Sequence, residues 1–106
     1  MVKSFEKYYP VISLSQLTPG KGMKIKLKKF TLAIFYIKDK IYAVQNRCPH
    51  QHADLSDGYI LNDKLYCSLH HWAFNLSDGR YVFNPEMKLK TYKTKIKDGM
   101  IYIRLD

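Results

Sequence analysis

Short apolar runs separated by turn residues recur along the whole chain. Residues 24–28 alternate lysine with isoleucine and leucine, which is the pattern of a strand with one face in solvent. Residues 30–37 form a continuous β-branched and aromatic run, which is typical of a buried strand. No segment shows the 3.6-residue period of an amphipathic helix. The sequence therefore predicts an all-β fold.

Turn residues divide these runs into antiparallel hairpins. Residues 38–40 connect the strand at 30–37 to a strand at 41–44, and further hairpins are predicted at 59–66, 73–83 and 90–105. A first strand at 8–12 contains Pro10, which lacks an N–H and favours the edge of a sheet. We expect one domain over residues 1–106, an antiparallel sandwich or barrel. Its body is residues 1–45 and 85–106, and residues 46–84 form an inserted lobe.

The candidate chemistry lies in this lobe. Cys48-Pro49-His50 and Cys67-Ser68-Leu69-His70 use both cysteines of the chain and two of its four histidines. Two thiolates and two imidazoles are a complete ligand set for one metal ion or for one iron–sulfur cluster of mixed ligation. Zinc sites usually begin with C-x2-4-C or H-x3-5-H pairs, whereas each pair here mixes cysteine with histidine. This favours two iron atoms, with both cysteines on one and both histidines on the other.

The lobe resembles the cluster-binding part of Rieske proteins. Leu55-Ser56-Asp57-Gly58 follows the first pair, and Trp72-Ala73-Phe74 and Leu76-Ser77-Asp78-Gly79 follow the second. The resemblance implies one [2Fe–2S] cluster held by Cys48, His50, Cys67 and His70. It also implies that His71 stands where the family often has glycine. Each LSDG segment is expected to form a turn in which glycine supplies a positive φ.

The resemblance further implies a function without catalysis of its own. We expect a one-electron carrier, similar to Rieske ferredoxins that pass electrons from a flavin reductase to a terminal oxygenase. A small subunit of an assimilatory nitrite reductase is the alternative within the family, and a zinc-stabilised nucleic-acid-binding module is the alternative outside it. An oxygenase would also need a second domain with a mononuclear iron held by two histidines and a carboxylate. Only His52 and His71 are left over in the 106 residues, and we expect no room for such a domain beside the lobe and the body.

Charge and apolar content narrow the partners and the compartment. The net charge is +9, yet residues 46–84 contain three cationic and four acidic residues, so the lobe carries −1 and the rest +10. This distribution argues against nucleic acid as the partner. The first residues lack the apolar segment of a signal peptide, and no run approaches the length of a membrane span. We therefore expect a cytoplasmic monomer with redox protein partners, no membrane association and no disulfide.

Overall fold

The structure is a computed structural model that describes residues 7–49, 53–68 and 71–105. Within these residues the chain forms eleven strands and two 3₁₀ turns, so the all-β prediction is confirmed. The turns are Leu14–Gln16 and Leu55–Asp57. The strands are β1 (Tyr8–Ser13), β2 (Met23–Leu27), β3 (Phe30–Ile37), β4 (Lys40–Gln45), β5 (Tyr59–Leu61), β6 (Lys64–Tyr66), β7 (Ala73–Asn75), β8 (Arg80–Tyr81), β9 (Asn84–Lys88), β10 (Thr91–Lys97) and β11 (Met100–Arg104). In these described ranges we find no helix with the length and apolarity needed to cross a bilayer.

The strands form two antiparallel sheets. One has six strands in the order β1-β11-β10-β4-β3-β2, and the other has five in the order β5-β6-β7-β8-β9. The second sheet is inserted between β4 and β10, as the hairpin pattern predicts. It reaches Lys88, whose Cα pairs with that of Arg80. Strand Asn84–Lys88 therefore extends the five-stranded sheet past residue 84, the predicted end of the lobe.

Strand β3 contributes to two hydrophobic cores. Ala33 and Phe35 face a cluster that contains both cysteines, whereas Leu32 and Ile34 face a cluster within the body. Successive side chains of a strand point to opposite faces, so both faces of β3 are covered. This explains why its sequence is continuously apolar instead of alternating, and it places the cysteine-containing core directly on the body.

Tight turns set the register of three hairpins. In each turn both central residues have positive φ, as two-residue type I′ connections require. The pairs are Lys38 and Asp39, Asn62 and Asp63, and Asp98 and Gly99. Asparagine, aspartate and glycine tolerate this conformation best, which is why these hairpins were predictable from sequence.

The third predicted hairpin differs from the observed one. Strand β8 ends at Tyr81, and Val82 and Phe83 lie in the turn that leads to β9. Their apolar and aromatic character predicts strand, but both side chains are exposed instead of packed against a core. Val82 and Phe83, the end of the predicted strand, therefore form an exposed apolar turn instead.

Two residue pairs connect β10 to β4, and they join the two parts of the six-stranded sheet. Thr91 pairs with Val44 and Tyr92 with Ala43. Thr94 adds a side-chain hydrogen bond from its hydroxyl to the carbonyl oxygen of Ile41, at 3.1 Å. Burial raises the pKa of the Tyr92 phenol above its ordinary value, because the charged phenolate loses hydration there.

Candidate metal centre

Both cysteines lie at the ends of strands and in the same core. Cys67 directly follows β6, and Cys48 lies shortly after β4. Each is completely buried, and the two are not joined as a disulfide. They share one hydrophobic cluster with Leu55, Leu65 and Phe74. Two thiols held together in an apolar core are a donor pair shielded from solvent, which suits thiolate ligands of a buried metal centre.

The same backbone hydrogen bond closes both cysteine loops. The Cys48 N–H donates to the carbonyl oxygen of Ala53 at 2.8 Å, and the Cys67 N–H donates to that of Trp72, also at 2.8 Å. We call residues 48–53 the first cysteine loop and residues 67–72 the second. Each bond links a cysteine to the residue five positions later. The two loops are thus closed in the same way, although their Cys–His spacings differ.

Three of the four histidines lie outside the described residues. His50 and His52 belong to the first cysteine loop, and His70 belongs to the second. The structure therefore brings together Cys48 and Cys67 of the four expected ligands. By sequence, each of the two expected histidine ligands falls within a loop that its own cysteine closes. The donor set, two buried sulfurs and one imidazole per loop, fits a cluster of mixed ligation.

Asn46 organises the entrance to the first cysteine loop, and sequence reasoning missed it. Its side chain is buried, and its Oδ1 accepts a hydrogen bond from the Ser56 N–H at 3.0 Å. Its own N–H donates to the Thr31 carbonyl at 3.1 Å. Next to it, Arg47 and Asp54 form a single antiparallel bridge. Burying an amide without a hydrogen-bond partner is costly, so Asn46 is held firmly here. The bonds join the two ends of the loop to each other and anchor them to β3 through Thr31.

His71 adopts the conformation expected where the family often has glycine. Its φ is +55°, in the left-handed region that costs non-glycine residues about 1–2 kcal/mol. Its Nδ1 lies 2.9 Å from the hydroxyl of Tyr59. Tyr59 in turn stacks on Tyr66, with ring centroids 5.0 Å apart. The second cysteine loop is thus tied to β5 and β6, a contact that no local sequence signal indicates.

An aromatic stack supports the other side of the same loop. Trp72 lies parallel to Tyr81 at a centroid distance of 4.3 Å, and Tyr81 also contacts Phe74 at 5.5 Å. Phe74 is fully buried and Trp72 is half-buried. Both side chains thus pack beside the second cysteine loop and help to cover the core that contains the cysteines.

The two LSDG segments differ in structure, which corrects the expectation of similar turns. Gly79 has a φ of +79°, and the Asp78 carboxylate accepts a hydrogen bond from the Arg80 N–H at 2.9 Å. Gly58 instead has a φ of −77° and ends the 3₁₀ turn Leu55–Asp57. A Cβ at Gly58 would overlap the carbonyl oxygen of Tyr66. Glycine is required at 58 for close approach. At 79 it is required for conformation and also for close approach, because a Cβ there would lie 2.7 Å from the Leu89 carbonyl oxygen.

The two antiparallel sheets, the two cysteine loops closed in the same way and the shared core of both cysteines define a small β-sheet domain whose donor set suits a metal centre. A model of the Rieske [2Fe-2S] domain matches residues 7–93, and the chain belongs to this family. One [2Fe–2S] cluster is accordingly its cofactor, and the zinc-module alternative is wrong.

Sequence relatives are ferredoxin components of oxygenase systems. The ferredoxin component of the naphthalene 1,2-dioxygenase system of Pseudomonas putida is 30% identical, over 93% of this chain and 96% of the relative. The ferredoxin subunit of the 3-phenylpropionate/cinnamic acid dioxygenase of Photorhabdus laumondii is 35% identical, over 88% and 90%. The chain is therefore an electron carrier of the ferredoxin type and not a catalytic component.

Solved structures give the same fold. A protein of Mycobacterium tuberculosis described as an NADH-dependent nitrite reductase small subunit matches with a TM-score of 0.86 at 23% identity, over 93% of this chain and 96% of the other. At that identity the likeness is one of fold. A chain in an oxygenase–ferredoxin complex of carbazole 1,9a-dioxygenase matches with a TM-score of 0.84 at 26% identity, over 92% of this chain and 28% of the other.

Proposed function

We propose that Cys48 and Cys67 bind one iron of the [2Fe–2S] cluster and that His50 and His70 bind the other. The observation that carries this proposal is the pair of cysteine loops, each closed by a Cys N–H bond to the residue five positions later. The burial of both cysteines in one core supports it further. When bound, the cluster accepts and donates one electron.

The protein residues set the charge and the exposure of this centre. Two thiolates and two neutral imidazoles leave the oxidised core with no net charge, whereas four thiolates would make it −2. A less negative centre accepts an electron more readily, so the two histidines raise the reduction potential. The cysteines are in the core, and the histidines belong to the loops. A cluster held in this way would exchange its electron on the side of His50 and His70 rather than on the side of the buried cysteines.

The proposed partners are a flavin reductase as donor and a terminal oxygenase as acceptor. This follows the ferredoxin components to which the chain is similar.

We further propose that the carrier acts as a monomer in the cytoplasm. Its distribution of charge suits transient encounters, because most of the positive charge lies outside the lobe. Extending the lobe to Lys88 adds the negative charge of Glu86 and the positive charge of Lys88. These cancel, so the net charge of the lobe stays at −1.

Four substitutions and two controls test the ligand set. Cys48→Ser, Cys67→Ser, His50→Ala and His70→Ala should each abolish the visible absorption and the electron paramagnetic resonance signal of the cluster. The controls His52→Ala and His71→Ala change histidines in the same loops and should retain both signals. If the cluster survived His70→Ala but was lost in His71→Ala, the ligand would be His71 and the proposed assignment to His70 would be wrong.

Electron transfer is tested with a panel of known components. The cluster-loaded chain is mixed with the reductases and terminal oxygenases of the naphthalene, carbazole and 3-phenylpropionate dioxygenase systems, and reduction is followed by stopped flow. We expect reduction of the chain by a reductase and re-oxidation by an oxygenase of the panel. A loaded chain that exchanges electrons with no oxygenase would contradict the proposed acceptor.

A further inference from the structure

The turn between β8 and β9 exposes an apolar tip formed by Val82 and Phe83. The Phe83 side chain is 83% exposed, the highest value among the large apolar residues that the structure describes as exposed. Val82 beside it is exposed as well. A single exposed apolar residue is ordinary, but adjacent ones that form a patch indicate a binding surface.

This tip is held in place by its neighbours. The Val82 N–H donates to the Ala73 carbonyl at 3.0 Å, which fixes the turn to β7. The Phe83 ring meets the Tyr81 ring edge-on at 5.9 Å, and Tyr81 is stacked on Trp72. An aromatic side chain that is already ordered loses little conformational entropy when a partner covers it. The exposed ring is therefore suited to act as an anchor.

The strand register places the tip beside the second cysteine loop. Val82 is bonded to Ala73, the residue after Trp72, and Trp72 accepts the bond that closes the loop. Tyr59, which is partly exposed, approaches the same loop through its bond to His71. Since Tyr59 pairs through Tyr66 with Ala73, these residues lie along one end of the five-stranded sheet. Exposed aromatic side chains thus flank the loop on both sides.

We propose that Phe83, with Val82 beside it, is the apolar anchor by which this carrier docks onto its terminal oxygenase. This rests on the proposed function. The lobe has a net charge of −1, so attraction between charges does little to hold its contact. Electron-transfer contacts are small, and a few buried aromatic residues supply most of the binding energy of such contacts.

These observations favour the oxygenase as the partner that covers the tip formed by Val82 and Phe83. Structures with this fold include oxygenase–ferredoxin complexes, so a contact of this kind can be stable enough to isolate. A small contact with little net charge needs an anchoring side chain to reach that stability. The complementary feature on the oxygenase would be an apolar recess large enough for a phenyl ring, close to its own redox centre.

The test compares Phe83→Ser with the matched control Leu61→Ser. Leu61 is also exposed on the five-stranded sheet but lies at the turn end of the β5–β6 hairpin, away from Tyr59. Binding of each cluster-loaded variant is measured by calorimetry with whichever of the three panel oxygenases the unaltered chain reduces fastest. Phe83→Ser should raise Kd about tenfold or more at both low and high salt, while Leu61→Ser should leave Kd within about twofold.

Every other outcome counts against the proposal. Equal Kd values for Phe83→Ser and the unaltered chain would overturn the anchor while leaving the carrier function intact. If Phe83→Ser slowed reduction by the reductase but left binding to the oxygenase unchanged, the tip would contact the reductase. The proposal that it docks onto the oxygenase would then be wrong. An unaltered chain that reduces none of the oxygenases would overturn the proposed function itself and the docking claim with it.

Discussion

The hydroxyl of Tyr59 lies 2.9 Å from Nδ1 of His71, and this contact ties the second cysteine loop to the first strand of the five-stranded sheet. His71 holds a φ of +55° at the same time. The loop thus combines an unfavourable backbone conformation with a side-chain bond that compensates for it. The residue next to an expected ligand is held by a tyrosine from a different hairpin.

Substitutions at His71 separate these two effects. His71→Ala and His71→Gly both lose the bond to Tyr59, but only glycine relieves the left-handed conformation. His71→Gly should therefore be more stable than His71→Ala by about 0.5–1 kcal/mol. This corresponds to a Tm about 4 °C higher, measured by thermal scans of the cluster-loaded protein. A Tm for His71→Gly at or below that of His71→Ala would contradict the assignment of backbone strain.

Gly58 should tolerate a methyl group less well than Gly99. A Cβ at Gly58 would overlap the backbone oxygen of Tyr66, whereas Gly99 has open space around it and a positive φ. Gly58→Ala is expected to cost about 3 kcal/mol, because backbone atoms cannot move aside cheaply. Gly99→Ala should cost about 1 kcal/mol from conformation alone. Thermal scans of both variants check the order, and a larger loss at Gly99 would be evidence against the close approach.

Charge reversal on the body should slow association only at low salt. Lys26 and Lys93 are exposed on body strands β2 and β10, and their replacement by glutamate removes long-range attraction to an acidic partner. Lys24 is unsuitable for this test, because its Nζ lies 3.0 Å from the Asp54 carboxylate beside the first cysteine loop. The rate of reduction by the reductase should fall severalfold at about 10 mM salt and return to the unaltered value near 1 M, where the Debye length is about 3 Å. A loss of equal size at every salt concentration would place these lysines in the contact itself.

The raised pKa of Tyr92 predicts a loss of stability at alkaline pH. Above about pH 10 the unfolded chain loses the Tyr92 proton while the native state still retains it. The native state then binds more protons, so the free energy of unfolding falls as pH rises through this range. Tyr92→Phe should make the fall of Tm between about pH 9.5 and 11 shallower than in the unaltered chain. An identical slope in both proteins would show that this phenol does not contribute.

Local sequence signals predicted most of the body. Strand β3 and the hairpins with positive-φ turns follow from apolar runs and from turn residues whose conformational preferences are strong. Strand β9 was not predictable in the same way. Its sequence, Asn84–Lys88, is largely polar, contains Pro85 and is mostly exposed, so pairing with β8 alone defines it as a strand. Val82 and Phe83 gave the opposite error: their apolar character predicted strand where the chain turns. The sequence does not show whether an apolar residue is exposed at a turn or buried in a strand.

The site shows the same division between local and distant causes. The proposed ligands Cys48, His50, Cys67 and His70 rest on a sequence pattern alone, and of these the structure brings together the two cysteines. The bonds of Asn46 to Thr31 and Ser56, and the contact of Tyr59 with His71, join residues from separate elements. Such bonds depend on how the two sheets pack, and no single segment encodes them. Gly58 belongs here too, since its neighbour Tyr66 comes from the next strand.

Metal and sulfide content tests the central claim most directly. Protein purified after expression with iron should contain about two iron atoms and about two acid-labile sulfides per chain, as a [2Fe–2S] centre requires. Both should fall to background in Cys48→Ser and His70→Ala and remain in the matched control His71→Ala. Stoichiometric zinc without sulfide in the unaltered chain would contradict the assignment of these four residues to an iron–sulfur cluster.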